Sequence, residues 1–579
     1  MGGVSLAPQA LPGAAAARRA FWPFIGLLGA VALLGLLPSL RLLWEALAGW
    51  RLGAASPLAR VMADPLTWYA TLNTLNVGLW GTLVAVAFGA FFALAVSLTD
   101  LPGKNGWVFA FMLPMMIPPQ VTALAWLQLF GPSSTLLQSV GLAPDLGSPQ
   151  PLYSPAGIAL LLGVQHAPLV FLALRAGLLA LPAGLCEAAR LAGASPARVL
   201  RDVVLPLARP GLVAGAAMAF VSALGNFGIA AMLGIPVGYY TLPTLIYQKM
   251  ASFGPSLLPQ VSALSMLVGV LALAGVGLQM RLQARARYRL VGMPGGLAAF
   301  SLGRWRGLVQ ALMGLLLAFV LVAPLTALLA SSLVPAMGVP LSVRSFTLQA
   351  YVEMLSRQGV TWRAAGNSLL LAGLAAAVLT ALALPLAWFM ARCTGNTARR
   401  WAGVVNASLE IPYALPGTVL AVACILLLAP PLPLLRVSLY GTLGIIFVAY
   451  LARFMVVALK PVQAGLQQLD SALEEAAQLA GAPVWRRLRD VLLPLLAPSA
   501  FAGGLLVFLT AVNELTVSAL LWSAGNETLG VLIFNYHESG DNVLAAAIAV
   551  VIVAGVAGLM GAMSWLGRRL PHGVIPWRN

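Results

Sequence analysis

Hydrophobic residues along this chain form long runs that are separated by short polar segments. About twenty apolar residues in a helix cross the hydrocarbon core of a bilayer, so each run is long enough for one transmembrane span. The runs do not alternate apolar and polar residues as the strands of a membrane β-barrel do. The pattern therefore predicts an all-α membrane protein with about twelve transmembrane helices. The predicted spans lie near residues 21–41, 69–97, 107–129, 155–180, 210–232, 257–280, 307–333, 366–391, 403–428, 439–460, 497–522 and 542–566.

A basic segment divides these spans into two groups of six. Residues 281–306 are rich in arginine and include Met293-Pro294-Gly295-Gly296, a composition typical of a linker rather than of a folded domain. The positive charge of this segment favours the cytoplasmic side of the membrane. The sequence thus predicts a first transmembrane half at 1–280, a cytoplasmic linker at 281–306 and a second transmembrane half at 307–579.

The two halves repeat one another in sequence. Glu187–Ala194 reads EAARLAGA and Glu475–Ala482 reads EAAQLAGA, and Arg201–Leu207 and Arg489–Leu495 follow them at the same spacing. The same spacing pairs Pro210 with Pro498, and weaker correspondences pair Asn73–Leu75 with Asn367–Leu369 and Pro114 and Pro118 with Pro412 and Pro416. Self-similarity on this scale indicates a duplication. Because six spans separate the copies, both halves have one orientation, and a parallel repeat about an axis along the membrane normal is predicted.

The repeated polar segment lies between the fourth and fifth spans of each half and is predicted to form two short helices joined by a tight corner. In the second copy Ser471 and Glu474 fit a capping box, and Gly481 fits the left-handed residue that ends a helix. Pro483 fits the first turn of a second helix, which continues to Pro494. The first copy has the corresponding residues Pro182, Gly193, Ser195 and Pro196. Such an alanine-rich helix suits docking in a groove of another protein, where a carboxylate supplies a directed contact to an arginine.

Composition and charge agree with a membrane protein. Of the 579 residues, 60% are hydrophobic and only 8% are charged, and the net charge is +17. Soluble proteins carry about 25% charged residues. The arginines lie in short segments between the apolar runs, as in cytoplasmic loops, and not on a basic face that could bind nucleic acid. The lipid bilayer is therefore the expected surrounding, with both termini in the cytoplasm.

The N-terminus resembles a signal sequence, because Arg18-Arg19 precede an apolar run at 21–40. That run is longer than the hydrophobic region of a usual signal peptide. We therefore expect an uncleaved first span.

Residue types that carry chemistry are scattered. The cysteines and histidines form no motif for a disulfide framework or a metal site; they are Cys186, Cys393, Cys424, His166, His537 and His572. The Gly103-Lys104 pair is followed by Asn105 and has Leu98 where a phosphate-binding loop requires glycine. We expect no catalytic residue, no metal and no bound cofactor in this chain. A polytopic membrane enzyme would need a catalytic cluster, and the sequence has no paired carboxylates or His-rich loop.

The repeated segment resembles the EAA loop of permeases from binding-protein-dependent ABC importers. The resemblance is carried by Glu-Ala-Ala, a glycine four residues later, and a Val-x-Leu-Pro element. The matching positions are Glu187, Ala188, Ala189, Gly193, Val203, Leu205 and Pro206, and Glu475, Ala476, Ala477, Gly481, Val491, Leu493 and Pro494. Two copies at corresponding places make this resemblance specific. A secondary transporter, the nearest alternative class, would not need loops for docking an ATPase.

The resemblance implies the partners and the mechanism. In that family the EAA loop is the coupling helix that sits in a cleft of the ATPase subunit. Glu187-Ala188-Ala189 and Glu475-Ala476-Ala477 would then contact two copies of an ABC ATPase, with Gly193 and Gly481 as corners. The ATPase subunits would use the ATP, and a periplasmic solute-binding protein would deliver the solute. The expected location is the bacterial inner membrane, with alternating access between its two sides.

The fused arrangement is most similar to the iron(III) permeases, so ferric iron is the expected cargo. Fused thiamine, phosphonate and polyamine permeases are alternatives. The resemblance is carried by Asn226–Gly228, Tyr240–Tyr247, Ile411–Gly417 and the segment from Thr528-Leu529-Gly530 to Gly540-Asp541.

The polar residues that fall inside predicted apolar spans include Asn226, Asn513 and Glu514. An unpaired charge in a span costs roughly 2.5–3.5 kcal/mol on insertion scales, so such a residue usually faces protein or water. We hypothesise that Asn226, Asn513 and Glu514 line the translocation path. A hydrogen bond between spans is the alternative interpretation.

Overall fold

The protein is described by a computed structural model. The structure describes residues 14–145, 147–252, 257–285, 300–357, 359–392, 396–431 and 436–566. Within these ranges the chain is helical, and its β-type pairing is one isolated bridge between Thr99 and Phe300. This confirms the predicted all-α fold class.

Among the described residues, nine helices are long and apolar enough to cross a membrane. They are Pro65–Leu98, Pro155–Leu179, Pro196–Leu224, Leu257–Leu282, Gly303–Ser332, Gly359–Ala391, Leu443–Gln468, Val484–Val512 and Asn542–Ala562. Several begin at a side-chain cap followed by proline: the Asp64 carboxylate accepts the Leu66 N–H at 3.0 Å before Pro65, and the Ser154 hydroxyl accepts the Gly157 N–H at 3.1 Å before Pro155. Proline suits the first helical turn because the backbone N–H it lacks would have no partner there.

Three further pairs of helices are sharply bent. Lys104–Met116 and Pro119–Leu129 meet at 99°, Ala402–Ala414 and Gly417–Leu428 at 111°, and Gly228–Val237 and Leu242–Met250 at 72°. If each pair is one span, the described residues contain twelve candidate spans. The first two bends fall at Pro118 and Pro416, since proline disfavours helical backbone at the residue before it.

Two predicted spans end earlier than expected. The predicted span 210–232 stops as a helix at Leu224, and the predicted span 497–522 stops at Val512. The polar residues that follow each helix bond to local backbone groups, which compete with the helix. Mean hydropathy does not detect such a break. The bent pair beginning at Gly228 was therefore missed. The predicted first span lies within the helix Ala14–Leu47.

The chain forms two compact units. One comprises the described parts of Met1–Leu37, Leu374–Tyr413 and Tyr450–Val507, and the other Pro38–Gly373, Ala414–Ala449 and Phe508–Asn579. Small residues allow close helix packing in each unit, as is usual in membranes. In the second unit a Cβ on Gly89 would lie 2.8 Å from the Val170 Cβ, and in the first a Cβ on Gly503 would lie 2.7 Å from the Ala458 carbonyl oxygen.

The end of the predicted linker contacts the polar turn after Pro65–Leu98. The Phe300 N–H donates to the Leu98 carbonyl at 2.7 Å, the Leu302 N–H donates to the Asp100 carboxylate at 3.1 Å, and Arg306 forms an ion pair with Asp100. The Leu302 N–H and the Arg306 guanidinium hold the pKa of Asp100 below its usual range. Most of the linker, at 286–299, lies outside the described residues, so the predicted boundaries of the two halves stay a prediction.

Candidate functional site: the EAA loops and the breaks in two spans

The first EAA loop (residues 181–206) contains a short helix and a corner. The helix Ala183–Leu191 ends before Gly193, whose φ of +82° is the left-handed conformation expected of a helix-ending glycine. The Ser195 hydroxyl then accepts the Arg198 N–H at 3.4 Å. The next helix begins at Pro196 and runs on as the span to Leu224, so it is not the separate short helix that was predicted.

The second EAA loop (residues 469–494) has the same local structure, with one correction. Its helix Ser471–Leu479 is capped by Asp470, whose carboxylate accepts the Ala472 N–H at 2.9 Å, so the predicted capping box of Ser471 and Glu474 is wrong. The Glu474 side chain instead accepts a hydrogen bond from Trp388. Gly481 has a φ of +79°.

The helix that follows also differs from its prediction. Pro483 is the residue that precedes it and not its first turn, and Val484 begins it. It extends past Pro494 to Val512, because proline is tolerated where the chain enters a span whose neighbouring turns satisfy the freed backbone group.

The outward faces of the two EAA helices carry equivalent residues. Glu187 and Glu475 are exposed, as are Ala188 and Ala476, while Ala189 and Ala477 are half-buried. A leucine at the end of each helix is also exposed: Leu191 at 91% and Leu479 at 88%. Sequence reasoning missed these two leucines. An apolar residue on the polar face of a loop helix, two residues before the corner glycine, was the available signal.

The inward faces of the two EAA helices differ. In the second loop Glu474 is buried and its Oε1 accepts the Trp388 indole N–H at 2.7 Å. Arg487 lies 3.5 Å from the same oxygen and donates to the Gln478 Oε1 at 2.9 Å. These contacts of the buried Glu474 fix the helix to its own unit and leave Glu475 facing outward.

In the first loop the positions equivalent to Glu474 and Arg487 hold apolar side chains. They are Cys186 and Val199, both buried. Burial raises the pKa of the Cys186 thiol; Arg190 opposes this effect and Glu187 adds to it. The Arg190 guanidinium also lies over the Phe300 ring, 4.8 Å from its centroid, which is within the range of a cation–π contact.

The predicted path residues lie at the breaks that follow two spans. Asn226 Oδ1 accepts the Ile229 N–H, in the first turn of the helix Gly228–Gly234, at 3.1 Å. Glu514 occupies the equivalent position in the second half and accepts the N–H groups of Val517 at 2.9 Å and Ser518 at 3.2 Å. Both side chains are buried. The Asn513 amide donates to the Leu509 carbonyl at 3.0 Å.

A second helix follows each break, Leu242–Met250 in the first half and Leu529–Glu538 in the second, and a matching pair of hydrogen bonds holds its start. The Asn73 amide donates to the Tyr240 carbonyl at 2.9 Å, and the Leu242 N–H donates to the Thr74 hydroxyl at 2.8 Å. In the second half the Asn367 amide donates to the Glu527 carbonyl at 3.0 Å, and the Leu529 N–H donates to the Ser368 hydroxyl at 2.8 Å. The weak sequence correspondence of Asn73-Thr74 with Asn367-Ser368 therefore has a structural cause.

Comparison with known proteins identifies the family. The model of the binding-protein-dependent transport system inner membrane component matches residues 85–288 and again residues 383–572. The chain belongs to this family, with two family domains fused in one polypeptide. It is therefore the multi-pass membrane permease of an ABC importer, a transport subunit and not an enzyme. This family implies an ATPase and a solute-binding protein as partners.

Individual relatives cover the chain to different extents. A probable ABC transporter permease protein, y4fN, of Sinorhizobium fredii is 26% identical over 93% of this chain and 94% of its own length. The Fe(3+)-transport system permease protein FbpB 2 of Haemophilus influenzae is 23% identical over 83% of this chain and 86% of its own. The molybdenum transport system permease protein ModB of Escherichia coli is 32% identical over 32% of this chain and 81% of its own.

Proposed function

We propose that this permease carries ferric iron from a periplasmic binding protein into the cytoplasm. The observation that supports ferric iron is the extent of similarity: the ferric relative is a permease that matches most of the chain. The molybdenum permease is similar to about a third of it. Molybdate is therefore the second candidate.

Two copies of an ABC ATPase are proposed to dock on the EAA loops, one on each. The support is a repeated set of side chains, an exposed glutamate, an exposed alanine, a half-buried alanine and an exposed terminal leucine, on helices that end at left-handed glycines. The exposed leucine offers apolar area to a groove, and the carboxylate offers a directed ion pair. In this arrangement the EAA loops and both termini lie in the cytoplasm.

Alternating access is proposed as the mechanism. ATP-driven closure of the two ATPase subunits would move the EAA helices and shift the spans towards the outward-facing state. To change the protein from mostly one state to mostly the other, the free energies of ATP binding to the two states must differ by about 5.5 kcal/mol. Only a stiff connection between ATPase and spans transmits this difference, and the contacts of the buried Glu474 and the corner glycines would provide that stiffness.

The coupling proposal is tested by co-purifying the co-expressed ATPase with Glu187→Lys, Glu475→Lys and the double variant. We expect each single variant to lower ATPase recovery and the double variant to abolish it, since a lysine would repel the arginine expected in the groove. Asp145→Lys is the matched control, because Asp145 is exposed but lies outside the EAA loops. Full ATPase recovery with the double variant would refute the assignment.

The cargo is tested by ATP-dependent uptake into proteoliposomes that contain the permease and ATPase, with the binding protein outside. Labelled iron(III) and labelled molybdate are compared in parallel. Uptake of iron alone supports the proposal, whereas uptake of molybdate alone replaces iron by the second candidate. Stimulation of the ATPase by the loaded binding protein shows that the reconstituted complex is assembled. If such vesicles take up no iron, iron is also rejected as the cargo.

A further inference from the structure

The proline bends of the two halves contact the opposite breaks reciprocally. After the first bend, the Gln120 amide nitrogen lies 3.4 Å from the backbone oxygen of Asn513, at the break of the second half. At the second bend, Pro416 lies against Gly225, at the break of the first half: a Cβ on Gly225 would be 3.4 Å from the Pro416 Cα. Gly225 and Asn513 are equivalent positions in the repeat. All four residues belong to the same compact unit.

This reciprocal exchange locates the pseudo-twofold axis. In a parallel repeat, elements that contact their counterparts reciprocally lie around the axis along the membrane normal. A solute path between the two halves follows that axis. The bends and breaks therefore lie where such a path would pass.

Each bend has, at the equivalent position, a buried side-chain oxygen without a protein hydrogen bond among the described residues. Gln120 lies two residues after Pro118, and Thr418 lies two residues after Pro416. Their side chains are 1% and 0% exposed. Within the described part of the chain, Gln120 Oε1 and Thr418 Oγ1 have no protein hydrogen-bond partner. The nearby Thr122 is different, since its hydroxyl donates to Gln165 at 3.1 Å. A buried polar atom without a partner costs about 1–3 kcal/mol, and here the cost recurs at equivalent positions.

The surroundings of Gln120 are closed. A Cβ on Gly228 would lie 3.4 Å from its Oε1, and a Cβ on Gly530 would lie 3.1 Å from its Nε2. Glycine at both positions lets backbone from the two halves approach the amide. The Gln120 amide is thus enclosed by backbone, and water or solute could satisfy its unpaired oxygen once the segments separate.

We propose that Gln120 and Thr418 form the closed gate of the translocation path and contact the solute when the gate opens. Asn226 and Glu514 then act as positioning residues, which hold the short helices after the breaks. This assignment uses the family membership of the chain and does not depend on which solute is carried.

The test is thiol accessibility in the purified permease–ATPase complex. Gln120→Cys and Thr418→Cys are made separately in a chain whose native cysteines are replaced by alanine, and each is reacted with a charged methanethiosulfonate reagent. Ser265→Cys is the matched control, because Ser265 is also fully buried with a hydroxyl that has no protein partner in the described structure, but lies on the helix Leu257–Arg285. Rates are compared without nucleotide and after trapping with Mg-ATP and vanadate.

We expect the thiol modification rates at positions 120 and 418 to differ by about tenfold between the nucleotide-free and the vanadate-trapped complex. A change of the open population from about a twentieth to about a half would produce this difference. The Ser265→Cys rate stays low in both. Inhibition of ATPase activity by vanadate in the same sample confirms trapping. Rates at 120 and 418 that equal the control rate in both states would overturn the gate, and so would a change at only one of them. Thr418→Cys changes side-chain size little and tests the gate even if Gln120→Cys does not assemble.

Discussion

At the scale of single residues, two adjacent glutamates in the second EAA loop have opposite environments. Glu474 is buried against Trp388 and Arg487, whereas Glu475 is exposed. Breaking a buried ion pair by removing one partner costs about 3–5 kcal/mol. We expect Glu474→Ala to lower the thermal midpoint of the purified protein and Glu475→Ala to leave it unchanged while weakening ATPase recovery. Equal midpoints for the two variants would contradict this division of roles.

The buried Cys186 gives a second residue-scale prediction. Since burial raises the pKa of this thiol above its usual value near 9.0, the thiolate fraction is smaller than that of an exposed cysteine at every pH up to the folded pKa. Maleimide labelling of Cys186 as the sole cysteine should therefore stay slow from pH 7 to 9. Leu191→Cys, at the exposed end of the same helix and with Cys186 replaced by alanine, is the reference. Labelling of both at one rate would show that Cys186 is accessible.

At the scale of elements, the corner glycines test how the EAA loop holds its shape. A Cβ on Gly193 or Gly481 would meet nothing within 4 Å, so only the positive φ opposes a side chain there. Left-handed backbone costs a non-glycine residue about 1–2 kcal/mol. Gly193→Ala and Gly481→Ala should therefore reduce stability by about that amount and lower transport per ATP hydrolysed. Gly184→Ala, in the helix before the first corner and without positive φ, should lower neither quantity, since alanine favours a helix more than glycine does.

The same elements show what the sequence could predict and what it could not. The glycine corners and the Ser195-Pro196 helix start were predictable because they depend on local backbone preferences. The use of Glu474 was not, because its partner Trp388 lies far away in the sequence. Hydropathy also missed the breaks at Asn226 and Glu514, since a capping side chain within an apolar run barely changes the mean hydropathy.

At the scale of the whole molecule, the duplication predicted more of the structure than any single motif. The Asn73 and Asn367 contacts, the bends at Pro118 and Pro416, and the EAA helices all recur. What the repeat could not predict is where the halves have diverged. The inward positions of the EAA loops are apolar in the first half and ionic in the second, and only a structure shows which side chains face inward.

This difference between the two EAA loops can be tested by giving the second loop the inward residues of the first. Glu474→Cys alone leaves the half-buried Arg487 charge without its carboxylate, whereas Glu474→Cys with Arg487→Val reproduces the apolar pair Cys186 and Val199 of the first loop. Replacing a whole buried ion pair by apolar groups is often nearly neutral. The double variant should therefore recover much of the stability lost by Glu474→Cys, with a coupling energy of about 0.5–3 kcal/mol. Recovery remains incomplete because the Trp388 N–H loses its acceptor in both. Unfolding free energies in detergent measure the cycle, and strictly additive losses would show that the two halves are not exchangeable at these positions.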